Sequence, residues 1–243
     1  IPQKPPALSR STFTRDDLTQ VTPESRKYCS ELFDSLTTQG RYTPWGLKQT
    51  LVLPGTLGGA TWAGVSFDPT SGYLYVNANE AGAVGELKPQ SRGPLTYRRA
   101  NQEGEYARFW DQDHYPCQQP PWGTLNAIDL NTGELVWKVP LGVVDALTAK
   151  GVPQTGALSL GGSIATAGGL VFIAGTNDSR FRAFDAKTGK ELWTERLEAG
   201  GHATPMTYLG PKSQKQFVVI AAGGGGSFSE VVADVLAAYA LPD

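Results

Sequence analysis

The chain has 243 residues, 40% of them hydrophobic and 18% charged, with a formal net charge of −2. That is enough apolar material for a sizeable core. It is too even a charge for a nucleic-acid surface, which needs a clustered basic face, and no basic run is longer than Arg98-Arg99. No apolar run approaches the roughly 20 residues that span a bilayer.

The chain opens Ile1-Pro2-Gln3-Lys4 with no Met and no signal peptide, which reads as a segment cut from something longer. Residues 1–13 are Pro-rich and extended. Thr14-Arg15-Asp16-Asp17 fits a capping box opening a short helical turn. Thr22-Pro23 marks a clearer helix start, with Thr22 as N-cap and Pro23 in the first turn. Tyr28, Leu32 and Leu36 recur at i, i+4, i+8, flanked by Cys29 and Phe33, and predict one apolar stripe on a helix ending near Gly40. These 50 residues read as an N-terminal extension (1–50) whose helix packs on the outside of a β body.

The β body begins near Leu51 and runs over 51–243. Strands are predicted over 61–67 and 73–78, joined by Asp68-Pro69-Thr70-Ser71-Gly72. Residues 80–122, rich in Gly, Pro, Arg and Gln, break the pattern and read as a long insertion of the kind that often carries function. Cys29 and Cys117 are the two cysteines. They form one disulfide if the compartment is oxidising, or stand as two buried thiols.

Two stretches then share one pattern, A-x-D-x-x-T-G-x-x-x-W. The first runs from Ala127 to Trp137 and the second from Ala183 to Trp193. Each predicts a hairpin, with Asp capping the turn and Gly supplying a positive φ. A Trp at one position of every repeat predicts a large ring wedged against the next unit. Strands over 163–167, 170–175, 180–185 and 191–194 make one four-stranded blade, and 203–208, 217–222 and 235–240 make most of another. The fold class is therefore all-β: a partial β-propeller of about three four-stranded blades, one split by the insertion and the last lacking a fourth strand. Three blades cannot close a ring, so the remainder of the propeller or a partner chain is expected beside them.

The doubled motif resembles the tryptophan-docking motif of quinoproteins, eight-bladed propeller dehydrogenases that use pyrroloquinoline quinone (PQQ). The segments 53–59, 161–173, 199–208 and 235–242 resemble, in this order, the C-terminal part of the membrane-bound quinoprotein glucose dehydrogenase type. The resemblance implies a periplasmic or extracellular enzyme whose parent can be anchored to the inner membrane. It implies oxidation of a sugar or alcohol by hydride transfer to PQQ, with Ca²⁺ or Mg²⁺ on the cofactor and electrons passed to a quinone or other acceptor. The family's catalytic base and most ligands of cofactor and metal fall outside the part matched, so the chain alone is expected to be inactive. The alternative is a non-enzymatic quinoprotein-like scaffold for protein binding.

The resemblance carries cofactor-binding roles to Asn77, Leu160, Gly161, Gly162 and Gly224. Asn77 matches a position beside PQQ, with Asn79 close enough in register to compete. Leu160-Gly161-Gly162 matches a segment whose backbone approaches the quinone. Gly224 lies in Gly223-Gly224-Gly225-Gly226, where Gly225 stands at a position relatives can fill with His. A phosphate cradle is a poor reading of that run, since a strand precedes it and no Gly-Lys-Ser/Thr follows. Asp178 matches a position implicated in active-site behaviour but also suits turn ordering. Asp129 and Asp185 read as turn caps and His202 as a structural or rim residue.

Overall fold

The computed structural model describes residues 3–100, 107–225 and 231–242. Two helices and sixteen strands follow in chain order: α1 (Pro23–Ser35), β1 (Thr50–Val52), β2 (Gly59–Ala60), β3 (Ser66–Asp68), β4 (Tyr73–Asn79), β5 (Ala83–Pro89), β6 (Tyr97–Ala100), β7 (Ala107–Arg108), β8 (Gly123–Asp129), β9 (Glu134–Pro140), α2 (Asp145–Thr148), β10 (Ser163–Ala165), β11 (Leu170–Ile173), β12 (Arg180–Asp185), β13 (Glu191–Arg196), β14 (Met206–Leu209), β15 (Gln216–Gly224) and β16 (Val232–Ala240). They fall into two compact units. A repeat unit comprises 3–8, 60–78 and 123–242, and a cross-linked unit comprises 9–59 and 79–122. The N-terminal extension and the insertion, far apart in sequence, thus share one unit, and β1 belongs to it.

In the cross-linked unit, β5 is the central strand, pairing with β1, β6 and β7. Thr22 caps α1, its side chain accepting from Ser25 N at 3.1 Å, with Pro23 in the first turn. The helix stops at Ser35, short of Gly40. From Leu36 the chain is extended, and Leu51 N donates to Thr37 O at 2.9 Å, so pairing with β1 takes over from helix. Asp17 accepts from both the amide and the hydroxyl of Thr14, at 2.8 and 2.9 Å, around a 3₁₀ turn. The core gathers Phe13, Leu18, Leu51 and Phe109, with Leu32, Phe33 and Leu36 packed on it. Phe13 meets Phe33 and Phe109 edge-on, each at 5.3 Å, a favourable aromatic geometry. Tyr28 sits at the rim of the stripe, 43% exposed, while Cys29 is fully buried. Cys29 and Cys117 are joined in a disulfide that bridges 88 positions.

The repeat unit holds three antiparallel blades. In the first, β2 and β3 both pair with β4, followed by β8 and β9. The predicted strand over 61–67 is therefore broken: 61–65 form a loop in which Gly64 has φ +101°. The second blade runs β10-β11-β12-β13 and the third β14-β15-β16. β10 lies against β3, so the first two blades meet along these strands, which form their inner edge. Gly226 of the four-glycine run lies outside the described residues.

The docking hairpins close as their sequence demands. Asp129 accepts from Asn131 N at 2.8 Å, and Asp185 from the amides of Lys187 and Thr188 at 3.0 and 2.8 Å. Gly133 and Gly189 take φ of +72° and +71°. Trp137 reaches the next blade's turn, its Nε1 donating to Ala186 O at 3.1 Å. A Cβ at Gly189 would lie 2.7 Å from that indole, so the glycine is also a docking surface. Trp193 in turn packs edge-on against Tyr239 of the third blade, at 5.1 Å.

Candidate functional site

The carboxamide of Asn77 organises the inner edge. β4 carries it into a fully buried position, 1% exposed. Its Nδ2 donates to Ser159 Oγ at 2.9 Å and to Gly161 O at 2.8 Å, and its Oδ1 accepts from Thr61 Oγ1 at 3.1 Å. One side chain thereby joins β4, the 61–65 loop and the segment that leads into β10. Asn79, the competing position, instead holds Leu57 O at 3.1 Å in the cross-linked unit. The structure thus gathers Asn77 with Gly161 and the segment it belongs to, 159–161.

The glycines of that segment have a definite steric reason. A Cβ at Gly161 would stand 3.0 Å from Gly175 Cα and 3.2 Å from both Gly201 O and Ala203 O. One at Gly162 would stand 2.6 Å from Thr204 Oγ1 and 2.8 Å from Ala63 O. The space is taken by neighbouring backbone and the Thr204 hydroxyl, so the glycines form a seam between the inner ends of the three blades. Leu160 is half-buried, its amide donating to Gly175 O at 2.9 Å. Gly224, at φ +59°, ends β15 and donates its N–H to Gly200 O at 2.9 Å. A Cβ there would fall 2.1 Å from Val231 O. The carboxamide of Asn77 reaches Gly161, Leu160 and Gly161 lie against Gly175, and Gly224 bonds Gly200 beside Gly201.

Two unspent groups sit beside this seam. Trp62, in the loop that Asn77 and Gly162 hold, is 90% exposed. His202 Nδ1 lies 3.2 Å from Gly175 O. A carbonyl can only accept, so Nδ1 carries the hydrogen, and Nε2 is buried with no hydrogen-bond partner among the described residues. Gly225, at φ +73°, donates to Val231 O at 2.9 Å, a backbone role at the position relatives can fill with His.

Asp178 orders its turn, as the sequence suggests, and does more. It accepts from Thr176 Oγ1 at 2.6 Å, Arg180 N at 3.1 Å and Val143 N at 2.9 Å, and pairs with the fully buried Arg182. Burial alone would raise its pKa, but Arg182, Thr176 and Val143 hold the carboxyl below its ordinary value. Glu191 gives Arg182 a second carboxylate at 3.2 Å.

Sequence reasoning missed Trp62, Thr61 and Ser159. Trp62 was absorbed into a strand, although Ala63-Gly64 beside it is a strand-breaking signal. Thr61 and Ser159 acquire a role only through Asn77, which no local pattern reveals.

Among the described residues no group of three or more His, Cys, Asp or Glu could hold a metal ion. The residues present fit one flank of a cofactor pocket. They supply a rigid backbone wall, a bare indole and an imidazole nitrogen with capacity to spare, while metal ligation would come from elsewhere.

Inner strands, glycine seam and tryptophan-docked turns define a propeller of the quinoprotein class. The profile described as PQQ, glucose/ethanol/alcohol dehydrogenase, beta-propeller domain, matches residues 1–218. The chain belongs to this family of PQQ-dependent β-propeller dehydrogenases. It is 36% identical to the quinate/shikimate dehydrogenase (quinone) of Acinetobacter baylyi, over 97% of this chain and 32% of that protein. It is likewise 36% identical to the quinoprotein glucose dehydrogenase of Escherichia coli, over 93% of this chain and 31% of that one. The chain thus spans about a third of the length of these relatives. A europium-containing methanol dehydrogenase structure superposes with a TM-score of 0.54 at 28% identity, over 73% of this chain and 27% of that one.

Proposed function

We propose that the chain forms one flank of the PQQ pocket of a dehydrogenase acting on a polyhydroxy sugar or alcohol. The observation that carries this reading is the Asn77 clamp, whose carboxamide fixes Gly161 on the inner edge. Substrate class follows the relatives, which are named for quinate or shikimate, glucose and, in Gluconobacter oxydans, glycerol. When bound, PQQ supplies the two-electron acceptor for the hydride leaving the carbinol carbon. Asn77 holds the wall in register, the glycine seam keeps it thin, and Trp62 offers a flat apolar face. The family resemblance assigns the base that would take the hydroxyl proton, and the Ca²⁺ or Mg²⁺ ligands, to segments outside the part matched here; Asp129 and Asp185 are spent in turns. Electrons pass to a quinone or a comparable acceptor, and the working compartment is the periplasm or cell exterior, in keeping with the Cys29–Cys117 disulfide. No helix of the described residues is long and apolar enough to cross a membrane.

The test is calorimetric titration with PQQ and Ca²⁺, for the chain alone and with the rest of the propeller supplied. Saturable binding is expected in the second case at least. Asn77→Ala should weaken it about tenfold, the worth of one to two hydrogen bonds. Absence of binding in both cases would overturn the proposal.

A further inference from the structure

The β5–β6 hairpin and the loop before β1 form one projecting surface within the cross-linked unit. Leu87 N donates to Gly46 O at 2.7 Å. Trp45 covers Gly85 so closely that a Cβ there would lie 2.0 Å from its ring. Arg99 stands over the same indole, 5.5 Å from its centroid. Loop 45–48 and hairpin 86–99 are therefore a single packed piece.

Its chemistry departs from that of the chain. The whole sequence has 21 Lys and Arg against 23 Asp and Glu. Over its described residues 45–48 and 86–99 this surface carries Lys48, Lys88, Arg92, Arg98 and Arg99 against Glu86. Strand register makes the concentration sharper still. Lys88 stands directly opposite Arg98, and like charges across a ladder are destabilising. Glu86 bonds Lys88 at 3.0 Å and leaves the Arg98 charge over. Between these cations stand apolar side chains with no cover: Leu47 is 64% exposed, Leu95 66% and Tyr97 44%. Residues 91–99 are exposed throughout.

The fold gains nothing from opposed cations or from bare leucines. Both suit a surface that is anionic at its headgroups and apolar just beneath them. We propose that this hairpin and loop dock the chain peripherally on an anionic phospholipid membrane, the cations meeting headgroups while Leu47, Leu95 and Tyr97 enter the interface. A protein partner would call for a contiguous apolar patch with a polar rim; here apolar and cationic side chains alternate. The inference is independent of the cofactor reading.

The test is flotation of the chain with vesicles of 30% phosphatidylglycerol in phosphatidylcholine, against phosphatidylcholine alone. Binding to the anionic vesicles only is expected, and release in high salt. Each neutralised cation should weaken partition about fivefold, so Lys88→Ser/Arg92→Ser/Arg98→Ser together should cost about 100-fold. Leu95→Ser/Tyr97→Ser should weaken binding without changing its salt dependence. Because all five positions lie on an exposed hairpin, circular dichroism of both variants is expected to match the parent. A variant that failed this check would be replaced by the salt titration of the parent protein. No flotation, flotation unaffected by the substitutions or by salt, or equal retention by soluble double-stranded DNA would each overturn the proposal.

Discussion

In the repeat unit, the second and third blades are each fastened by a tryptophan of the blade before. Trp137 hydrogen-bonds a carbonyl in the next blade's turn, and Trp193 packs against Tyr239 one blade further on. In the cross-linked unit no period exists, and the fastening is covalent and singular. One disulfide spans 88 positions, set among Phe13, Phe33 and Phe109. The first solution spreads cohesion over equivalent, individually modest contacts. The second concentrates it in one bond between an extension and an insertion that share no local sequence logic.

This contrast can be broken most forcefully at the cysteines. Closing a loop of this length removes about 4 to 5 kcal/mol of chain entropy from the unfolded state. Cys29→Ser with Cys117→Ser should lose about that much in denaturant titration. Hydrogen exchange should rise in 9–59 and 79–122 and stay close to its original level in 123–225. Faster exchange spread evenly over both units would mean that the units are not separately held.

A smaller effect is expected inside the second blade. Asp178→Asn leaves Arg182 buried with Glu191 as its one counter-charge among the described residues, and should cost about 3 kcal/mol near neutral pH. The pH dependence has a definite sign. The folded pKa of Asp178 is depressed, so its contribution is present above the unfolded carboxylate pKa, about 3.9, and fades as pH falls through the lower folded value. The gap between parent and variant should therefore close on acidification below about pH 4. A gap that stayed constant would mean that Asp178 is not ionised in the folded protein.

Smallest is Trp137→Phe. It keeps most of the ring but loses the bond to Ala186 O, for about 1 kcal/mol. A thermal melt with near-ultraviolet detection would register it. A loss equal to that of the disulfide would show that docking is less distributed than the repeat suggests.

The same contrast explains what was readable in advance. The docking hairpins announce themselves, because Asp129, Gly133 and Trp137 recur as Asp185, Gly189 and Trp193 and each does local work. The cap at Thr22 is equally local. What local reading cannot supply is partnership at a distance. Asn77 could be nominated by family likeness, yet its bonds to Ser159 and Gly161 reach 82 and 84 positions along the chain. The helix was expected to run to Gly40 because the deciding contact, Thr37 against Leu51, is tertiary. Arg182 falls inside the predicted strand 180–185, and nothing in that pattern announces its pairing with Asp178. The union of 9–59 with 79–122 was hidden for the same reason, with the two cysteines as its one visible trace.

The tryptophan dock has a direction. Trp137 finds its acceptor at Ala186, so the hairpin formed by 123–140 is not finished until a stretch nearly fifty residues later has been made and folded. The same holds one step on, where Trp193 waits for Tyr239. On a ribosome, each blade would leave the exit tunnel with one aromatic ring still seeking its seat. Synthesis of the following blade would supply that seat. Assembly would then advance as a relay from N- to C-terminus, the apolar face of each blade being covered, together with its indole, when the next blade arrives.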